Sequence, residues 1–261
     1  MVTLKDIAAH VGVSISAVSL VLNERGEGRV RPDVAARIRN VADELGYAPN
    51  LLARGLKTNQ SHTIGLLSDQ VATVPFAGAM LAGAQNAAAA EDFLLIVVDT
   101  AGNRDLDSHA VKTLLQRNIE GLILATDFHR DVDLPMVPRT VPIVVLDGRP
   151  SDRGAMADWV IPDEQQGAFI ATQALTRAGH RRIAFCNVGD SRFIARSLRR
   201  TGYEEALRAS GIPIDPRLIV EAADPSTTAG RVQARHLLRR DDPPTGVFCF
   251  SDQIAFGFYQ V

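Results

Sequence analysis

Apolar residues recur along this chain at two different periods, and the change falls after residue 62. Before it the spacing is helical. Leu4, Ile7 and Ala8 share one face of a first helix over about 4–10, and Val18 and Leu22 face back onto it from a second over about 15–23. Gly12 stands between them where the chain must reverse, and glycine takes the left-handed conformation without steric cost. Ser14 offers its hydroxyl as N-cap of the second helix, which leaves Ile15, Ser16, Ser19 and Asn23 pointing outward. A third helix, over about 32–45, opens on Pro32, closes before Gly46 and carries the stripe Val34, Ile38, Val41 and Leu45. Two short helices broken by a tight turn have the shape that lays one helix in the major groove of DNA.

From Thr63 onward short apolar runs alternate with helical patterns. Strands are expected over about 63–67, 94–99, 121–125, 143–146, 159–162, 182–186 and 246–250. Helices are expected over about 76–91, 105–118, 164–178, 198–210 and 227–240, with a further one beginning at Gln253. Such alternation argues for parallel sheets covered by helices on both faces. The strands on either side of residue 161 suggest two similar lobes, and ligands of such folds bind at the carboxyl ends of strands, here in the cleft between lobes.

Composition changes this picture little. With 261 residues, 46% of them hydrophobic, the chain can bury more than one core. Its net charge of −2 divides into +2 over residues 1–60 and −4 over the rest, too mild a basicity to argue for nucleic acid by itself. Cys186 and Cys249 lie far apart inside apolar runs, as reduced core residues of a cytosolic protein do. His10, His62, His109, His129, His180 and His236 show neither metal-ligand spacing nor a Ser-His-Asp arrangement, so no metal, no cofactor and no catalytic residue is expected. No Gly-x-Gly-x-x-Gly follows the first strand, and neither a P-loop nor a nucleophile elbow is present. With no leader pattern and no apolar run of membrane-spanning length, a cytoplasmic, nucleoid-associated protein without a membrane partner is expected.

The motifs Thr3-Leu-x-Asp6-Ile-Ala, Gly12-Val-Ser14, Val18-Ser-x-Val-Leu-Asn23, Leu45-Gly-Tyr-x-Pro-Asn50 and Ala53-Arg-x-Leu56 fall in one register. Ile64-Gly-Leu66, Leu146-Asp147, Gly179-His-Arg-Arg-Ile183, Arg199-x-x-Gly202-Tyr203 and Ser251-Asp-Gln-x-Ala-x-Gly257 continue it through the body. Together they resemble the lactose/galactose-repressor (LacI/GalR) family over essentially every residue. The resemblance implies an all-α helix-turn-helix headpiece over 1–48, a hinge helix and linker over 49–62, and an effector-binding core over 63–261. That core would resemble periplasmic sugar-binding proteins, with two doubly wound parallel-sheet lobes, an N-lobe over about 63–161 and a C-lobe over about 162–261. Relatives continue past the point matching Val261, so the core is expected to be incomplete at its C-terminus.

The same resemblance implies a homodimeric repressor on a pseudo-palindromic double-stranded operator, controlled by a small molecule, with a carbohydrate favoured. Thr3, Ser14 and Ser19 are candidates for phosphate oxygens, and Ile15, Ser16, Leu20 and Asn23 for base edges. Most relatives carry Arg where this chain has Leu20, which can offer only apolar contact, for instance to a thymine methyl. Arg29 and Arg31 read as phosphate neighbours or as solvated loop cations. Segment 50–56 resembles a hinge helix that folds on the operator, with Asn50, Ala53 and Arg54 against the DNA and Leu56 wedged into the minor groove. Effector candidates are Asp69, Phe76, Asp147, Arg199, Ser251 and Asp252, of which Asp252 could equally be the N-cap of the helix beginning at Gln253. A remnant regulator and a sugar-binding protein without DNA function are the competing readings.

Overall fold

The computed structural model describes residues 2–47, 60–70, 77–152 and 154–261. The chain divides into two compact units, Met1–Ser61 and His62–Val261.

The first unit is helical: α1 (Leu4–Val11), α2 (Ile15–Leu22) and α3 (Pro32–Glu44). Thr3 and Asp6 form a reciprocal capping box at the start of α1. Gly12 ends that helix at φ 78°, and the Ser14 hydroxyl accepts from the Ala17 amide at 3.1 Å to begin α2. Ile7, Val18 and Ile38, one from each helix, are wholly buried, with Val21 and Ala42 beside them. Each such side chain contributes roughly 1.5–3 kcal/mol by leaving water, enough for a domain this small to close around one apolar knot.

The second unit holds two parallel sheets. Strands β1 (Thr63–Ser68), β2 (Leu94–Asp99), β3 (Gly121–Val132), β4 (Ile143–Pro150) and β5 (Asp158–Val160) lie in the order β2-β1-β3-β4-β5. Helices α4 (Ala77–Ala90) and α5 (Arg104–Gln116) connect the first three strands. The second sheet has the order β7-β6-β8, from β6 (Ile183–Val188), β7 (Ile219–Ala222) and β8 (Gly246–Cys249). Its helices are α6 (Glu164–Arg177), α7 (Ala195–Ala209), α8 (Thr227–Leu238) and α9 (Asp252–Phe258). Parallel strands covered on both faces must be apolar throughout, and every residue of β6 is buried.

Three departures from the sequence expectation bear on function. Strand β7 was not expected; its four residues sit between a 3-10 turn at Pro216–Leu218 and Pro225, too short for a periodic signal. Strand β3 runs seven residues past its expected end at Ala125, across an irregularity between Ala125 and Arg130 in its pairing with β4. Residues 126–130, polar but for Phe128, hide that continuation, because they show no apolar alternation. Beyond the irregularity, pairing resumes at Arg130 with Gly148, and Arg149 holds Asp131 at 2.7 Å. Finally, Cys249 is only half-buried; it lies opposite Cys186 in register, and burial pushes both free thiols up to about 12.

Candidate functional site

On the helical unit, Ile15, Ser16 and Asn23 are exposed along α2, while Ser19 and Leu20 are half-buried. Leu20 does not join the headpiece core, which takes Val18, Val21 and Leu22 from this helix. The Asn23 amide donates to the Ser19 carbonyl at 2.7 Å and to its hydroxyl at 3.3 Å, so these two candidates form one local polar pair. The Thr3 hydroxyl donates to Asp6 at 2.7 Å, and a phosphate would have to draw it from that bond. Arg29 is exposed, and Arg31 is an exposed side chain 3.4 Å from Asp33. Asn50, Ala53, Arg54 and Leu56 of the expected hinge lie outside the described residues, as does Phe76.

In the second unit, the irregularity between β3 and β4 aims side chains toward the facing lobe, which is what such interruptions do beside sites. Asp147 adopts φ 59°, a left-handed conformation uncommon for a residue with a side chain. The Thr126 hydroxyl secures it by donating to the Asp147 carbonyl at 2.6 Å. The Asp147 carboxyl is buried, and burial first, then the neighbouring Glu164, push it up to about 7, against the opposing pull of Arg199.

Arg199 reaches this place because α7 lies unusually close to α6. A Cβ at Gly202, one turn after Arg199, would come 2.1 Å from the Gln165 carbonyl oxygen. Only glycine fits there, and the approach sets Arg199 beside Glu164, the first residue of α6. The Arg199 Nε donates to the buried Glu164 carboxylate at 2.6 Å, and Nη1 donates to the Phe250 carbonyl. The guanidinium also lies 4.4 Å from the centroid of the Phe250 ring. Aromatic contact then continues from lobe to lobe. Phe193 meets Phe250 edge-on at 5.6 Å, and Phe128 meets Phe193 at 4.2 Å. Beside them the Ile194 amide donates to the His129 carbonyl at 3.2 Å.

His129 is the second buried polar group of this cluster. It is 3% exposed, and neither ring nitrogen finds a hydrogen-bond partner among the described residues. Burial depresses its pKa, against the opposing field of Glu164.

The remaining candidates stand apart from this cluster. Asp69 pairs with Arg130 at a neighbouring cavity of about 490 Å³, lined also by Asp127, Phe128, Arg192 and Ile194. Ser251, and not Asp252, is the N-cap of α9: its hydroxyl accepts from the Ile254 amide and donates to the Pro225 carbonyl, each at 3.2 Å. Asp252 is the first residue of that helix and is exposed.

Glu164, His129, Phe128, Phe193 and Phe250 were missed from sequence. Phe250 directly follows β8 and Glu164 comes four residues after the end of β5, where ligands of parallel sheets bind, and that positional rule could have found them. His129 lies beyond the point where β3 was expected to stop. Among the described residues, no group of three or more His, Cys, Asp and Glu could hold a metal ion, and no single helix is long and apolar enough to cross a membrane.

Comparison with known proteins places both units. Residues 3–50 match the family described as bacterial regulatory proteins, lacI family. Residues 61–261 match periplasmic binding proteins and the sugar binding domain of the LacI family. The ribose operon repressor of Haemophilus influenzae is 33% identical over all of this chain and 76% of its own length. A CelR transcriptional regulator solved with cellobiose is 28% identical, with a TM-score of 0.62 over 100% of this chain and 77% of that one. The lac repressor dimer bound to operator and an anti-inducer shares the fold at 24% identity, with a TM-score of 0.74 over 99% of this chain and 76% of that one.

Proposed function

The chain belongs to the LacI family of bacterial regulatory proteins, and from that premise we propose that its cleft binds a carbohydrate effector whose arrival alters the grip of the headpiece on an operator. It is a DNA-binding transcriptional regulator, not an enzyme. Residues 1–48 serve as the headpiece, 49–62 as hinge and linker, and 63–261 as the sensing core, in a cytoplasmic homodimer at the nucleoid. The observation that carries the effector reading is the convergence of Asp147 and Arg199 from facing lobes onto one buried cluster. A carboxyl that accepts from hydroxyls and a planar cation suit the polar edges of a sugar ring. Supporting the DNA reading is the exposed row Ile15, Ser16 and Asn23 on a capped helix, flanked by Thr3, Ser14, Ser19, Arg29 and Arg31.

Ligand that favours the closed arrangement of the lobes shifts the population toward it, and the hinge passes that choice to the headpiece. Selection of duplexes from a random pool tests the reading. The full chain is expected to enrich a pseudo-palindromic site, with binding that weakens steeply as salt rises. Enrichment of no sequence at low ionic strength contradicts it.

A further inference from the structure

Arg199 already has a resident anion. Its Nε is held by Glu164 at 2.6 Å, its Nη1 by the Phe250 carbonyl, and its face by the Phe250 ring. Around it stand Asp147 from β4, His129 from β3 and Glu164 from α6, while Asp127 lies toward Arg130, 3.9 Å away. The cations nearby are engaged elsewhere: Arg130 with Asp69, Arg149 with Asp131 and Arg192 with Asp190. Among the described residues the cluster therefore presents more carboxyl groups than cations, and the Arg199 guanidinium is not open to a bidentate grip by a phosphate or carboxylate.

An anionic ligand would have to take Arg199 from Glu164. That would leave Glu164, 7% exposed, as a buried charge without its partner. An uncharged polyhydroxy ligand meets no such obstacle. Its hydroxyls can bond Asp147 and the ring of His129, whose nitrogens have no partner among the described residues. Rejection by a wrongly placed charge is a common route to specificity.

We propose that Glu164 sets the charge class of the effector: by holding Arg199 it closes the cleft to anions and reserves it for uncharged polyhydroxy compounds. This rests on the cleft being the effector site.

Thermal melting of the full chain with inorganic phosphate replacing chloride at constant ionic strength tests it. The wild type is expected to show no larger phosphate-dependent rise than the Glu164→Gln/Arg199→Met double variant, because its guanidinium is occupied. Glu164→Gln keeps the shape of the side chain and removes its charge; with phosphate well above its dissociation constant it should gain a rise of about 3 °C. Adding Arg199→Met to that variant should abolish the gain. Glu164→Ala serves as a second variant should the Gln form fail to melt cooperatively, with the same gain expected. Phosphate stabilising the wild type more than the double variant overturns the proposal, as does its failure to stabilise either folded Glu164 variant more than the double variant. D-ribose 5-phosphate provides a second arm: stabilisation of the wild type by this ester through Arg199 also overturns it. If no sugar binds the chain but Glu164→Gln captures phosphate, the effector reading fails while the role of Glu164 stands.

Discussion

Leu20 and Asp147 each depart from what their surroundings would ordinarily select. Leu20 is a half-buried leucine on the outer side of α2 that contributes nothing to the three-helix core, so its apolar surface is available to DNA. Leu20→Arg should bring a guanine preference to the facing base pair, worth about 1–3 kcal/mol of discrimination for a bidentate contact. Selection from a random pool checks this; recovery of the same guanine by the wild type contradicts it. Asp147 should leave its mark on stability. Its carboxyl stays protonated up to about 7 in the folded state, against an ordinary value of 3.8 when unfolded. Between those values the folded protein binds the extra proton, so stability falls as pH rises from about 4, and the contribution of this one proton is lost fully only above 7. The full shift corresponds to about 4 kcal/mol. Asp147→Asn should flatten that slope in denaturant melts taken from pH 5 to pH 8 and be the more stable form at pH 8. A constant offset between the two proteins across this range contradicts the assignment.

The helices and strands show where sequence patterns speak and where they fall silent. The turn at Gly12, the cap at Ser14 and the Pro32 start of α3 were all legible, because each is a local rule whose geometry needs only a few adjacent residues. Strand β7 and the far half of β3 were not, because tertiary pairing, not apolar alternation, holds them extended. The same limit governed the cleft. Asp147 and Arg199 were legible through their motifs, but Glu164 acquires meaning only from Arg199, 35 residues along the chain, and His129 only from the lobe opposite. Gly202 illustrates the link between element and site. Its hydrogen lets α7 approach the α6 backbone, and this approach places Arg199 against Glu164. Gly202→Ala should cost about 3 kcal/mol through overpacking, read as a lowered melting temperature. Gly167→Ala on α6, where an added Cβ meets nothing within 4 Å, should be neutral or stabilising by up to about 1 kcal/mol. Equal effects at both positions would contradict the close-packing argument.

At the scale of the whole molecule, the chain couples a small unit stabilised by caps and one apolar knot to a larger unit that holds a buried polar cluster at the junction of two lobes. A polar cluster of this kind is costly in an apo protein unless a ligand completes its hydrogen bonds, and that completion supplies the energy by which one lobe arrangement can be favoured over another. The most direct test is the affinity of the full chain for its selected duplex, measured by fluorescence anisotropy with and without a sugar that raises its melting temperature. The account predicts tight binding at low ionic strength and a change of at least about 5-fold on adding the sugar, the lower end of ordinary allosteric coupling. A chain that ignores every duplex at low salt, or whose grip is unchanged by a sugar it demonstrably binds, would contradict it.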